Sequence, residues 1–210
     1  MKNILFIAPP AGGKGTQSDN LVENFGYIHI STGDLLREVD KNSDLGREVN
    51  SYISKGLFVP DDVVLALLKE KLLTLKPTDS FILDGYPRNI SQAETLDNLL
   101  SELNMNLDLA IELDVPYDVL LSRVVGRVSC PKCKTTYNTK FMPPHVEGIC
   151  DKCGTELIHR DDDSESTFKT RFDTYLKNTA PLIDFYKNRG KLKVIDGIND
   201  TYNAIVSVIK

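Results

Sequence analysis

The sequence predicts an α/β fold, with a parallel five-stranded sheet that is flanked by helices and carries a small inserted subdomain. Five short apolar runs alternate with longer segments in which apolar residues recur at helical spacing, and strands that alternate with helices form parallel sheets covered on both faces. The first apolar run breaks abruptly into glycines and one lysine. Between Arg127 and Asp163 short polar stretches, turns and paired cysteines indicate an insert without a large apolar core.

Length and composition are those of an ordinary globular protein. The chain has 210 residues, of which 41% are hydrophobic and 26% charged, so it is long enough for one main domain with insertions. No apolar run is long enough to cross a bilayer and the first residues do not form a signal peptide, so we expect a cytoplasmic protein. Because the net charge is −5, we expect neither nucleic acid nor a membrane surface as a partner.

The first strand leads into a candidate phosphate-binding loop. The apolar residues 4–7 are followed by Ala8-Pro9-Pro10-Ala11-Gly12-Gly13-Lys14-Gly15-Thr16. Small residues allow backbone N–H groups to turn toward an anion, and the following helix adds its positive end. The common pattern G-x-x-x-x-G-K-[ST] is not met, because Ala8 occupies the first glycine position and Gly15 the Ser/Thr position. By itself the loop fits a phosphate site and an ordinary glycine-rich turn about equally.

The other elements follow from periodicity and capping residues. We predict strands over 27–30, 80–84, 109–113 and 193–196. We predict helices over 17–24, through 35–37, over 45–54, from 60–62 through Leu72, over 91–105, over 116–125 and from 201 onward. Asp34 or Thr32 is the expected cap of the second helix. His29 lies inside the second strand, where we expect a packed or hydrogen-bonded residue rather than a catalytic one.

Three polar clusters come directly after predicted strands. The glycine-rich loop follows the first strand, residues 31–37 follow the second, and 84–88 follow the third. Because α/β sheets bind ligands at the carboxyl ends of their strands, we expect the three clusters to converge. Asp84, an acid beside a phosphate loop, is placed to hold Mg²⁺ or its water ligands. The alternative role for Asp84 is to cap the next turn.

Four cysteines form two C-x-x-C pairs within the insert. Cys130 and Cys133 are separated from Cys150 and Cys153 by 16 residues, a spacing typical of zinc knuckles. Four thiolates make a closed tetrahedral site, so we expect one structural Zn²⁺. The alternatives are free thiols, a redox pair, or a zinc ribbon that binds nucleic acid, and the acidic chain with few aromatic residues argues against the last. His145 could replace a ligand, although four cysteines leave no vacancy.

The arginines are placed where two polyphosphates would need them. One guanidinium group can donate two parallel hydrogen bonds to a phosphate, and its positive charge offsets the repulsion between neighbouring anions. Six of the eight arginines lie beside glycines, strand ends or the borders of the insert: Arg37, Arg88, Arg123, Arg127, Arg160 and Arg171.

Taken together, these motifs resemble the adenylate kinase family in its long form, which has a zinc-bearing lid. The similar segments are 10–17, 30–37, 83–88 with Gln92, 123–127, 160–163 with Arg171, and 179–182. They cover nearly the whole chain in order, which is far more specific than any single motif. The resemblance implies a P-loop nucleoside monophosphate kinase fold and reversible phosphoryl transfer from MgATP to AMP, which forms ADP.

The resemblance also implies roles for individual residues. The residues implied for the transfer itself are Lys14, Asp84, Arg88, Arg123, Arg160 and Arg171, with Asp84 positioning Mg²⁺ through water. Those implied for ATP are Ala11, Gly12, Gly13, Lys14, Gly15, Thr16, Arg127, Thr136, Tyr137 and Asn199. Those implied for AMP are Thr32, Arg37, Leu57, Phe58, Val59, Gly85, Tyr86, Pro87, Arg88, Gln92, Arg160 and Arg171, with the Gln92 amide reading the adenine edge. No nucleophilic side chain is required, because phosphoryl transfer depends mainly on positioning and charge stabilisation.

Two alanines depart from the family pattern. Family loops usually carry glycine where this chain has Ala8 and Ala11. If either residue has a positive φ, alanine costs about 1 kcal/mol or more at that position.

The resemblance implies three parts and a monomer. These are a core (1–30, 61–125 and 164–210), a nucleoside-monophosphate subdomain (31–60) and a lid with the four-cysteine site (126–163). Closure of the last two over the substrates excludes water. Two alternatives stay open: a related kinase with another acceptor or with GTP as donor, and a zinc-ribbon nucleotide-binding regulator without turnover, against which the acidity and the arginines argue.

Overall fold

The fold is built on a five-stranded parallel sheet, as predicted. The computed structural model describes residues 1–53, 59–133, 135–159 and 163–210. The strands are β1 (Ile4–Ile7), β2 (Ile28–Ser31), β3 (Phe81–Asp84), β4 (Leu109–Asp114) and, after two short strands β5 and β6 in the insert, β7 (Leu192–Asp196). They lie in the order β2-β3-β1-β4-β7, and every pairing is parallel.

Most predicted helices are present, with corrections at their ends. The helices are α1 (Lys14–Phe25), α2 (Thr32–Glu38), α3 (Asp44–Ile53), α4 (Asp61–Leu73), α5 (Ile90–Glu102), α6 (Tyr117–Val125), α7 (Glu165–Thr174), α8 (Pro181–Asn188) and α9 (Thr201–Ile209). Ser31, rather than Asp34 or Thr32, caps α2, because its Oγ accepts from the Asp34 N–H at 3.2 Å. Helix α5 ends before 105, where Asn104 has a φ of 54° and turns the chain out of the helix.

The sheet separates two apolar layers. Successive side chains of a strand point to opposite faces, and in β1 Leu5 and Ile7 belong to one buried cluster while Ile4 and Phe6 belong to the other. The first cluster includes Leu68 of α4 and Leu96 of α5, and the second includes residues of α1 and α9 such as Leu21 and Ile205. The β-sheet is therefore fully covered near β1, and its ligand-binding surface is limited to the loops at the strand ends.

Helices α7 and α8 are not among the predicted elements. An aromatic group formed by Tyr117, Phe168, Phe172 and Tyr175 packs α7 against α6, with ring centroids 4.9 Å apart for Tyr117 and Phe172. A π-helical turn at Tyr175–Thr179 joins α7 to α8. Within the described ranges, no helix has both the length and the apolar character needed to span a membrane.

The insert has its own small core, as the sequence indicates. Strands β5 (Arg127–Ser129) and β6 (Thr136–Asn138) form an antiparallel pair, and Ser129 bridges to Ile158 on its other side. The buried apolar cluster described in this part consists of Val128, Cys130, Tyr137, Cys150 and Leu157. So small an apolar cluster needs a covalent or metal cross-link to be stable.

Candidate active site

The phosphate loop between β1 and α1 is shaped by residues without bulky side chains. Gly13 has a φ of 93° and Ala11 a φ of 60°, so both lie in the left-handed region. A Cβ added at Gly12 would lie 2.7 Å from Ala8 Cβ, which only glycine avoids. The Gly12 N–H donates to Pro9 O at 3.0 Å. The loop therefore has a defined bend, and it leads directly into the N-terminus of α1.

Lys14, the first residue of α1, lies close to the loop and to Asp84. Its Nζ donates to Ala8 O at 2.9 Å. Burial lowers the pKa of Lys14 from its usual value of 10.5, and the Asp84 carboxylate opposes this effect. A lysine with this surrounding can approach a phosphate oxygen with little solvent between them.

Asp84 at the end of β3 is held in the charged form by cations. Burial by itself would raise its pKa, but His29 and Lys14 outweigh that effect, so the pKa lies below the usual 3.8. The His29 Nε2 lies 3.6 Å from Asp84 Oδ2. His29 is thus paired with Asp84 at the edge of the sheet, and the absence of a catalytic role for it stays a prediction.

Three guanidinium groups lie within electrostatic range of Lys14. The charges of Arg88, Arg171 and Arg127 each lower the pKa of Lys14 further, and the charge of Arg171 lowers that of Arg88. These side chains come from the β3–α5 loop, from α7 and from β5 respectively. Arg88, Arg127 and Arg171, from distant parts of the sequence, are therefore close enough to Lys14 for their charges to act on it, and their contact with phosphate stays a prediction.

Arg123 connects the phosphate loop to the loop after β7. Its Nη2 donates to Gly197 O at 2.9 Å, and its Nη1 lies 3.8 Å from the position of a Cβ added at Gly13. Asn199, which is predicted to contact ATP, lies in the same loop and donates from Nδ2 to Asp196 Oδ2 at 3.0 Å. Arg123 and the loop that carries Asn199 thus lie next to the phosphate loop.

Thr32 and Gly85, two of the residues predicted for AMP, lie close together at the ends of β2 and β3. Ser31 and Asp84 are partners in the strand register, and a Cβ added at Gly85 would lie 2.9 Å from Thr32 Oγ1. Arg37 is exposed and pairs with Asp34 at 2.6 Å. Leu57, Phe58 and Arg160, which are also predicted site residues, lie outside the described residues.

Some predicted AMP residues contribute backbone or packing rather than an accessible side chain. Tyr86, Pro87 and Val59 are buried, and Tyr86 and Val59 belong to the main apolar cluster. The Tyr86 hydroxyl has no hydrogen-bond partner among the described residues, and burial together with Asp61 raises its pKa to about 12. Whether these three residues contact AMP stays a prediction.

Gln92 is held by a network that the sequence does not reveal. Its Oε1 accepts from the Arg88 N–H at 2.6 Å and its Nε2 donates to Asp61 Oδ1 at 2.6 Å. Its own N–H donates to the Asn89 side chain, the cap of α5. Asp61 is therefore a residue of this site that sequence reasoning missed, since 31 positions separate it from Gln92.

The base of the lid carries a second interaction that was missed. Arg127 Nε donates to Asp163 Oδ2 at 2.7 Å, and its Nη2 donates to Oδ1 of the same carboxylate. Both side chains are buried, with 15% of Arg127 and 1% of Asp163 exposed. The adjacent acids of segment 160–163 gave no signal that would single out Asp163.

Tyr137 and Thr136 of β6 are predicted to contact ATP. Tyr137 lies in the lid core, with its hydroxyl 3.5 Å from Cys150 Sγ and accepting from the Asp151 N–H at 2.9 Å. Its side chain thus supports the cysteine cluster. Its contact with ATP, like that of Thr136, stays a prediction.

The four cysteines form one cluster in which two similar turns face each other. All four Sγ atoms lie within 4.8 Å of one another, and the Cys130–Cys153 and Cys133–Cys150 pairs are each 3.4 Å apart. Each turn is closed in the same way: the Cys130 N–H donates to Thr135 O and the Cys150 N–H to Thr155 O, both at 2.9 Å. A tetrahedral tetrathiolate site has sulfur atoms about 3.8 Å apart, so the donor set fits one metal ion. His145 pairs instead with Asp151 at 3.1 Å.

Comparison with known proteins agrees with this geometry. The family model described as adenylate kinase matches residues 6–191. The adenylate kinase of Thermodesulfovibrio yellowstonii is 48% identical, covering 99% of this chain and 98% of the relative. That of Carboxydothermus hydrogenoformans is 45% identical over 98% of this chain and 96% of the relative, and that of Archaeoglobus fulgidus is 44% identical over 94% and 92%. The chain therefore belongs to the adenylate kinase family, whose enzymes transfer a phosphoryl group reversibly between ATP and AMP.

Proposed function

We propose that this chain catalyses ATP + AMP = 2 ADP with the residues gathered at the carboxyl ends of β1, β2 and β3. The observation that carries the proposal is the position of Lys14, Asp84 and Arg123 beside a glycine-rich loop, with the charges of three further arginines acting on Lys14. Two bound polyphosphates repel each other, and preorganised cations offset that repulsion as charge shifts between them.

On the ATP side, the backbone from Ala11 to Thr16 wraps the phosphates and Lys14 neutralises the transferred group. Arg123 and Arg171 hold the phosphate in flight, together with Arg88 and Arg160. Arg127, Thr136, Tyr137 and the backbone at Asn199 hold the ribose and base. The contact of Arg123 with Gly197 O supports this assignment, because it places the guanidinium between the phosphate loop and the Asn199 loop.

On the AMP side, Thr32, Arg37 and Arg88 bind the phosphate, and Gln92 reads the adenine edge. Leu57, Phe58, Val59 and the segment Gly85 to Pro87 form the remaining contacts. The registers of Ser31 with Asp84 and of Asp84 with Phe6 support this placement, because they bring the ends of β2 and β3 next to the end of β1, where the phosphate loop begins.

Two metals complete the proposal. Asp84 would hold Mg²⁺ through its water ligands, and the ion would supply positive charge at the phosphate oxygens of ATP. One Zn²⁺ would be held by Cys130, Cys133, Cys150 and Cys153. It would cross-link the two cysteine turns of the lid and take no part in the transfer. The converging thiols support this, since four sulfur ligands with no open position select a soft ion.

The core, the AMP-binding part 31–60 and the lid 126–163 move relative to one another in the proposed cycle. Closure excludes water, which would otherwise accept the phosphoryl group. A monomer suits these motions, and the cytoplasm suits four thiols that are not oxidised.

The direct test is ADP formation from MgATP with AMP, GMP, CMP and UMP in turn. We expect AMP to be by far the best acceptor and Gln92→Leu to weaken that preference. Lys14→Met should lower kcat by about a thousandfold. Its matched control is Lys69→Met, which removes an exposed pair with Glu102 and should leave kcat unchanged. Folded, metal-loaded protein that turns over no acceptor would contradict the proposal.

A further inference from the structure

The Gln92 side chain is fixed from both sides by groups that cannot exchange roles. The Arg88 N–H can only donate, and it donates to Gln92 Oε1 at 2.6 Å. The Asp61 carboxylate can only accept, and it accepts from Gln92 Nε2 at 2.6 Å. If the amide were turned over, two N–H groups would face each other at Arg88 and two oxygens at Asp61. The amide therefore has one favoured orientation.

The two bonds leave half of the amide's hydrogen-bonding capacity for a ligand. A glutamine amide has two acceptor lone pairs and two N–H donors. With one of each in use, Oε1 keeps one acceptor position and Nε2 keeps one N–H. The Watson–Crick edge of adenine offers an N6–H donor beside the N1 acceptor, which matches this pair. Hypoxanthine offers the reverse, an O6 acceptor beside an N1–H donor, and would need the amide turned over.

We propose that Asp61 is a positioning residue for base specificity: by fixing the orientation of the Gln92 amide, it makes the site accept a 6-amino purine and reject a 6-oxo purine. This inference rests on the proposed function, in which Gln92 reads the base. Gln92 alone could serve either base by rotation of its amide. Asp61 and the Arg88 N–H remove that freedom before a nucleotide binds.

Asp61 lies where two helices begin close to each other. It is the first residue of α4 and directly follows the part of the chain that is expected to close over AMP. Gln92 lies in the first turn of α5, capped by Asn89. Asp61 thus ties the start of α4 to the start of α5 at the base-reading amide.

The test compares AMP with IMP, which differ only at the edge that Gln92 is proposed to read. In wild-type protein we expect kcat/KM for AMP to exceed that for IMP by a large factor. Asp61→Ala removes the acceptor, and Asp61→Asn offers either an acceptor or a donor. In both variants we expect the AMP-to-IMP ratio of kcat/KM to fall by at least about tenfold. The matched control is Asp62→Asn, which changes the same charge at the next, exposed position of α4 and should leave the ratio unchanged within about twofold.

Three outcomes separate the possibilities. A fall in the ratio confined to the Asp61 variants supports the proposal. Equal losses with AMP and IMP, or an unchanged ratio, would mean that Asp61 only stabilises the fold and would overturn it. If wild-type protein does not use AMP at all, the proposed function itself fails. The side-chain amide resonances of Gln92 give a readout without turnover, and they should shift in Asp61→Ala but not in Asp62→Asn.

Discussion

The bend of the phosphate loop holds an alanine in a conformation that favours glycine. Ala11 has a φ of 60°, whereas Ala8 is not among the described residues with a positive φ. The left-handed conformation costs alanine roughly 1 kcal/mol, and replacement by glycine would relieve this strain. Glycine also gives the unfolded chain more backbone freedom, which offsets about half of that gain in stability.

We therefore expect Ala11→Gly to raise the free energy of unfolding by about 0.5 kcal/mol. Ala8→Gly is the matched control, and it should lower that free energy by about 1 kcal/mol, because it removes a buried methyl group and relieves no strain. Denaturant titration of the two variants measures both changes. Destabilisation of equal size in both would show that the bend does not strain Ala11.

His29 and Asp84 make stability depend on pH at two separate points. The pKa of His29 is raised above its usual 6.5: burial acts to lower it, but Asp84 outweighs burial. The contribution of His29 to the free energy of unfolding is therefore complete below pH 6.5, and it is lost as the pH rises through the folded-state pKa of His29. The pKa of Asp84 is lowered below 3.8, so its contribution is present above pH 3.8 and is lost as the pH falls through the folded-state value.

We expect His29→Gln to flatten the loss of stability above pH 6.5, measured by thermal unfolding at a series of pH values. His159→Gln, at an exposed lid position, serves as the control and should not change the profile. A proton titration of His29 by NMR should show a raised pKa that falls in Asp84→Asn. A His29 pKa at or below 6.5 in wild-type protein would contradict the pairing.

At the residue scale, the sequence predicts charged groups better than it predicts their partners. Lys14, Asp84 and Arg88 could be identified because they follow apolar strands, where side-chain chemistry at the sheet edge is exposed. Asp61 and Asp163 could not, because each acts through a residue more than 30 positions away, at 31 and 36 residues respectively. Asp61 reaches Gln92 only because the start of α4 lies against the start of α5. Asp163 reaches Arg127 only because the last residue of the lid folds back onto its first strand.

Among the elements, the cysteine turns of the lid carry the sharpest prediction. Because the apolar core of the lid holds only a few side chains, a metal cross-link should supply much of its stability. We expect one zinc per chain in wild-type protein. Cys130→Ser should lose the metal and lower the melting temperature by at least about 5 °C, with a smaller effect on turnover at moderate temperature.

His145→Ala is the control for this experiment. His145 lies beside the cluster but pairs with Asp151, so its removal should leave the zinc content unchanged by elemental analysis. Loss of zinc from Cys130→Ser with an unchanged melting temperature would refute a structural role. Equal zinc loss from His145→Ala would show that the histidine is a ligand.

Elements that are marked by a local apolar pattern were predicted, and elements that depend on contacts with distant residues were not. The five strands of the sheet are found within about one residue of their predicted ends, because each is a short apolar run with a sharp polar boundary. Helix α7 was missed because its packing depends on the aromatic contacts of Phe168 and Phe172 with Tyr117. Helix α8 was missed too, and it packs through Leu182 and Tyr186 into the main apolar cluster. The π-helical turn between them likewise depends on tertiary packing and leaves no pattern in the sequence.

For the whole molecule, the ion pair between Arg127 and Asp163 joins the two borders of the lid. We expect Asp163→Asn to lower the free energy of unfolding by about 3 kcal/mol, because it leaves a buried guanidinium without its charged partner. It should also raise the KM for ATP more than the KM for AMP, since Arg127 is proposed to contact ATP.

The control is Asp173→Asn, which breaks an exposed pair with Lys169 of 3.0 Å on α7 and should change stability by less than about 0.5 kcal/mol. Thermal unfolding and steady-state kinetics measure the two effects. Parallel increases in both KM values would show that the pair supports the whole fold rather than the ATP side.

The overall arrangement was predictable only in part. Alternating strands and helices predict a parallel sheet, and the change in composition predicts an insert. The strand order β2-β3-β1-β4-β7 could not be read from the chain, because it depends on which crossover each helix makes. The convergence of the three polar clusters was still predictable, since parallel strands bring all their carboxyl ends to one edge whatever their order.

The first and last parts of the lid lie side by side on the core, and this limits how much the rest of the fold depends on the length of the lid. The lid leaves the core at Arg127 and returns at Asp163, and these residues are in direct contact at 2.7 Å. Side chains in direct contact keep the two backbones within the reach of a few extended residues, and the entropy cost of closing a loop changes only slowly with its length. We therefore expect that a short linker in place of residues 128–162 would leave the five strands and the phosphate loop in their places.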